Sequence, residues 1–150
     1  MKALKLTGAL CAAGLGIAMF ASAASAQKSV ATPGNYWDVQ EIMIEPGHTE
    51  QYLDFVKKQV MSDCDWYTAK GYELGCKIIM NVNKRRHEPD LIIIRMFKDM
   101  PSVAEMQRRQ DEYNAAHKTD DHAMDADQAT RTPIRKLGDN SLWQEMNFSK

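Results

Sequence analysis

Three groupings of side chains in this sequence have the types and spacing to do chemistry. Val103, Met106, Gln110, Tyr113 and His117 fall on one face if their segment is helical. Imidazole titrates near neutrality, so His117 can act as a metal ligand or an acid–base group with Tyr113 beside it. The plainer role is a histidine closing a helix end above a packed tyrosine. Gln40 and Gln144 interrupt the apolar face of two strand-like runs, and buried amides must line either a hydrogen-bonded patch or a pocket. In the pocket reading Gln40 orients a substrate, and Trp66 and Tyr67 supply aromatic walls; otherwise those rings are core or rim. The second grouping is Glu145, Glu41, Arg95 and Lys77, two acids beside two bases. A balanced row of this kind holds strand register as an ion-pair network. As a site, Arg95 would bind a ligand carboxylate while one Glu acted as a base. The third is the pair Cys64 and Cys76.

Other features carry less. His117, Asp120, Asp121, His122 and Asp125 have spacing that could collect a divalent ion, but Asp-rich helix ends are commonly just soluble, and no metal is assigned. Lys84-Arg85-Arg86-His87 is a basic turn too short to bind nucleic acid. His48 follows Pro46-Gly47 and decorates a helix entry. The sequence holds no C-x-x-C spacing, Ser-His-Asp signature, Walker motif or dinucleotide Gly-rich loop. A formal charge of −1 over 150 residues excludes a general nucleic-acid binder, and 44% hydrophobic content excludes a disordered chain.

Residues 1–26 have a basic start, an Ala/Gly-rich apolar stretch and the ending Ala24-Ser25-Ala26, the pattern of a secretory signal peptide cut before Gln27. Export to the periplasm or medium follows, with no membrane attachment after cleavage. The processed chain loses Lys2, Lys5 and Cys11, which moves its charge from −1 to −3. Two cysteines then remain in an oxidising compartment, where a disulfide is plausible.

The elements that must position these groups follow from alternation and breakers. Residues 27–35 read as a loose arm ahead of a domain spanning 36–150. A strand over 36–45 ends at Pro46-Gly47; Thr49 caps a helix to about Lys70, stopped by Gly71. Its apolar stripe is Leu53, Val56, Val60, Cys64 and Tyr67. Strands follow over 72–82 and 91–98, and Asp99 caps a second helix, with Pro101 near its start, that reaches His117 and frays through the polar stretch after it. The last strand covers 141–148. The order β-α-β-β-α-β is the ferredoxin-like plan, an α+β fold with antiparallel sheet order 4-1-3-2 and both helices on one face. Alternation puts Ile42, Ile44, Cys76, Ile78, Ile92, Ile94, Met96 and Leu142 under the helices. It leaves Trp37, Val39, Glu41, Ile79, Ile93, Arg95, Phe97 and Trp143 on the other face. Cys64 and Cys76 then point into the same layer. The second face is too apolar for water, and a second copy of the sheet would cover it, giving a homodimeric barrel.

That architecture resembles the dimeric α+β barrel superfamily. The run VQEIMIEPGHTEQYLDFVKK is similar to the first strand, turn and helix of its members. IIIRMFKDMPSVAEMQRRQDEYNAAHK resembles the third strand and second helix of the antibiotic-biosynthesis-monooxygenase branch, and YNAAHK resembles the stretch bearing the haem-ligating histidine of its haem-degrading members. Those members combine a strand Asn, a Trp and the helix His; the matching positions here hold Gln40, Phe97 and His117. Two departures argue against haem breakdown and leave haem binding, or oxidation of another ligand, open. The resemblance implies a small apolar or aromatic ligand and oxygenation or proton transfer. The competing class is a non-catalytic dimer whose pocket is filled by its own side chains.

Overall fold

Strand β1 (Ala31–Ile44) pairs along one edge with β3 (Leu91–Phe97) and along the other with β4 (Arg135–Phe148), while β2 (Gly75–Met80) pairs with the far side of β3. All three pairings are antiparallel, and the order β2-β3-β1-β4 is that of the expected plan. The computed structural model describes residues 29–148, so the expected leader and Cys11 lie outside the described residues. Among them, no helix is long and apolar enough to cross a membrane.

Helix α1 runs over residues 49–69, with a π-helical segment, Val56–Val60, between two α-helical ones. Its buried row is Tyr52, Val56, Val60 and Cys64, four residues apart at every step. A regular helix turns roughly 100° per residue, so a four-residue step overshoots by roughly 40° and the row would drift off the sheet. The wider π turn takes up that drift and keeps all four side chains facing inward. Tyr52, rather than Leu53, therefore heads the stripe.

Two helix starts differ from expectation. Helix α2 (Val103–His117) begins three residues after Pro101's neighbour Met100, and its cap is Ser102, whose Oγ accepts from Glu105 N–H at 3.2 Å. Ser102-x-x-Glu105 has capping-box spacing, and Asp99 lies too far ahead to serve. The stretch expected to fray is a third helix, α3 (Asp121–Thr130), because Asp120 accepts from Ala123 N–H at 2.8 Å and caps it. Thr49 does not cap α1; His48 holds that position, with Nδ1 2.9 Å from Gln51 Oε1. Gly71 does stop α1, at φ +71.

The arm expected to be loose is strand as well: Ala31, Thr32 and Pro33 pair with Phe148, Asn147 and Met146. The β1–β4 ladder shifts register twice, between Pro33 and Tyr36 and between Gln40 and Ile42. At the second shift Gly138 comes so close to Glu41 that a Cβ would sit 2.9 Å from the Glu41 Cβ.

The largest correction concerns β3. Leu91 lies opposite Ile42 and Met80, and Ile93 opposite Gln40 and Ile78. Leu91 and Ile93 join Ile42, Tyr52, Val56 and Val60 in the core, so Leu91, Ile93, Arg95 and Phe97 face the helices. Ile92, Ile94 and Met96 face outward, the reverse of the expected assignment. The run Leu-Ile-Ile-Ile is apolar on both parities, so alternation carries no information there.

Cys64 on α1 and Cys76 on β2 are joined as a disulfide, with Cα atoms 6.0 Å apart. It closes a loop of sequence separation 12 and ties the helix to the edge strand. Replacing both cysteines by alanine should cost about 3 kcal/mol, read by urea denaturation. The denatured, unreduced chain beginning at Gln27 should titrate no thiols, and two would show the bridge is not formed.

Candidate functional site

Turning β3 over brings Arg95 beneath the helices, opposite Asp38 on β1 and Cys76 on β2. Its Nη1 donates to Glu73 Oε1 at 3.1 Å, and its Cζ lies 5.9 Å from the centre of the Tyr67 ring. Glu73, in the turn between α1 and β2, is 5% exposed, and its Oε2 lies 3.3 Å from Cys76 Sγ. A carboxyl, a guanidinium and a second carboxyl thus form a row on the floor of the helix-facing side. Burial pushes the Glu73 carboxyl above its ordinary range against the pull of Arg95. Asp38 is raised for the same reason, against Arg95 and a hydrogen bond with Asn140.

Above this row lies a cleft of about 560 Å³ between α2 and the sheet. Arg95, Glu73 and Asp38, together with Arg109, Gln110 and Asn140, supply its polar groups, and Tyr67, Phe97, Met106 and Leu142 supply apolar surface. Arg95 and Gln110 also line an adjoining chamber of about 580 Å³ under α3, whose walls include Asp63, Asp125 and Met124. Both volumes fall within the range of about 300–1,000 Å³ that suits small-molecule ligands. Early α2 is open to water: Val103 is 78% exposed and Met106 48%.

The residues singled out from sequence separate into distinct places. Phe97, Arg95, Met106 and Gln110 line the cleft. Tyr113 lines the neighbouring chamber, donates to Asp63 Oδ1 at 2.7 Å and stacks on Tyr67 with ring centres 5.6 Å apart. Burial, then that bond to Asp63, holds its phenol protonated well above the usual range. His117 is exposed and outside the cleft, stacked on Tyr113 at 4.1 Å with Nδ1 3.0 Å from the Tyr113 carbonyl oxygen. Trp66 packs edge-on against Tyr67, Tyr113 and His117 and belongs to this aromatic cluster rather than to the cleft wall.

Both glutamines serve the sheet. Gln40 Nε2 reaches the carbonyl oxygens of Glu41 at 3.0 Å, Asp139 at 3.3 Å and Gly138 at 3.4 Å, at one register shift. Gln144 Nε2 reaches Gly34 O at 3.4 Å, at the other. Each amide meets carbonyls that an irregular ladder leaves short of donors. Neither lines the cleft.

The four-residue charged row does not assemble, because Arg95 is on the opposite face from Glu41, Lys77 and Glu145. On the outer face Trp37 takes its place: its indole N–H donates to Glu145 Oε1 at 2.8 Å, and Lys77 Nζ lies 5.5 Å over its ring. Asp38 and Glu73 were missed. Asp38 had a signal, since it sits two residues before Gln40 on the same strand face. Glu73 had none, because its burial comes from the turn into β2.

The surroundings of His117 do not fit a haem. Its hollow holds about 260 Å³, and one ring face is covered by Tyr113. Phe97 opens into a different cavity, and Gln40 is bound to β4. No family model, curated protein or solved structure matches the chain, so the resemblance rests on its residues alone.

A carboxyl whose pKa is raised on folding binds more protons in the folded state, so stability falls as pH rises from the unfolded value through the folded one. Glu73→Gln removes that loss. Relative to wild type, the variant should gain stability as pH rises from about 4, the unfolded value of a glutamate, as read by urea denaturation. A variant that loses ground over that rise would mean that the Arg95 pair outweighs burial.

Proposed function

We propose that this is an exported, dimeric α+β-barrel protein that binds a small aromatic or apolar molecule bearing an anionic oxygen group in the cleft between α2 and the sheet. The observation that carries the reading is Arg95, which stands on the floor of a cavity whose aromatic and aliphatic walls are joined by the polar groups of Arg109, Gln110 and Asn140. A guanidinium has more donors than its hydrogen bond to Glu73 uses, and its planar fork suits a ligand carboxylate or enolate. The raised carboxyls of Glu73 and Asp38 supply proton transfer to a ligand held there, the chemistry these groups favour over oxygenation. The disulfide accords with an oxidising compartment.

The dimer is supported by the outer face. Trp143 is 63% exposed and Ile79 47%, and they share that face with Trp37, Val39, Ile92 and Met96. An apolar band of this kind favours a second sheet over water.

Two measurements test these readings. Thermal melts against a panel of aromatic carboxylates and their neutral amides should show stabilisation by carboxylates, and Arg95→Met should weaken binding roughly 10- to 100-fold, since hydrogen bonds to a charged group contribute about 1.5–3 kcal/mol. Equal binding by that variant would overturn the role of Arg95, and a panel without effect would favour the non-catalytic dimer. Light scattering at micromolar concentration should give twice the protomer mass, and Trp143→Glu should halve it. A wild-type protomer under those conditions would sink the barrel.

A further inference from the structure

Arg135 opens β4 opposite Ile44, is 8% exposed, and has no ion pair or side-chain hydrogen bond among the described residues. Its Nε is sealed from solvent without an acceptor. Arg131, four residues earlier at the end of α3, also has a sealed, unpartnered Nε. Its Nη1 is tied to Asp127, and its Cζ lies 4.2 Å from the centre of the Phe55 ring. The third member is Tyr52, 1% exposed, which packs in one buried cluster with Ile134, the residue before Arg135, and feels the charge of both guanidinium groups.

The charges in this corner do not balance. Two guanidinium groups meet one carboxylate, Asp127, and the other acids nearby are engaged. Glu45 accepts from Lys136 at 2.8 Å, and Asp90 Oδ2 accepts from both the Ile44 N–H and Lys84 at 2.8 Å. Arg131 repels Arg135, and burial pulls the Arg135 pKa down further than that repulsion does. A guanidinium with a sealed Nε, little solvent contact and no carboxylate partner is costly, and arginine keeps its proton, so a counter-charge from outside the chain is the favourable way to relieve it.

We propose that Arg135, with Arg131 and the Tyr52 hydroxyl, binds a small oxyanion, a phosphate or carboxylate group, that neutralises this corner of the core. A guanidinium fork matches two oxygens of either group, and a phenol adds one donor. The site is separate from the α2–sheet cleft, whose walls do not include Arg135. Arg131 lines the chamber under α3, which offers an approach for a small ion.

The test is a set of thermal melts of the purified protein at fixed pH and ionic strength, with sodium chloride replaced stepwise by sodium phosphate or by sodium acetate. Wild type should show a saturable rise in Tm with at least one of the two; phosphate alone would identify a phosphate site, acetate alone a carboxylate site. Arg135→Met should melt at or above wild type in chloride and show no rise. Tyr52→Phe, which keeps the ring, should need severalfold more anion for the same shift. If Arg135→Met does not fold, Arg135→Lys keeps the charge without the fork and should need about tenfold more anion. A wild type that does not respond, or variants that respond as it does, would overturn the proposal.

Discussion

The pairing of Ile42 with Leu91 decides most of what lies beneath the helices. Side chains alternate along a strand, so one choice of face for Leu91 sets the face of Ile93, Arg95 and Phe97 together. Leu91 and Ile93 enter the core, and Arg95 is carried to the same side, where its side chain is half-buried against Glu73. Its charge must be met there, and Asp38 across the sheet and Glu73 from the α1–β2 turn meet it. Arg95 could not face outward without exposing Leu91, which is 0% exposed.

Around that choice the fold is adjusted by local irregularities, each with an identifiable partner. The π segment in α1 aligns Tyr52, Val56, Val60 and Cys64 on one side of the helix, which places Cys64 against Cys76. The two register shifts in the β1–β4 ladder are met by Gln40 and Gln144. Polar residues on an apolar strand face invite a reading as ligand contacts, yet here their amides repair the ladder. The polar groups left over from such repair are the informative ones: Arg95 with its two carboxyls in the cleft, and Arg135 with none.

The two arginines contrast in how burial is handled. Arg95 sits between carboxyls whose proton affinity is raised by burial, so their charge responds to pH and to a ligand. Arg135 meets a phenol and another guanidinium, neither of which offers a permanent negative charge. The first arrangement suits proton movement. The second suits the capture of an anion.

The sequence by itself determined the order of the four strands and of the first two helices, though not the helix Asp121–Thr130, together with the sheet order and the common layer of Cys64 and Cys76, because turn residues and clean alternation mark them. Of the groups it placed between the second helix and the sheet, Met106 and Gln110 line the cleft, while Gln40 and Gln144 repair the ladder. The sequence could not choose the face of Leu91–Phe97, since an apolar run has two equivalent parities, and so it put Arg95 on the wrong side. Nor could it find Glu73, the stacking of Arg131 on Phe55, or the unmatched charge of Arg135. Those depend on contacts between distant segments, and only the folded chain decides which of two local alternatives those contacts favour.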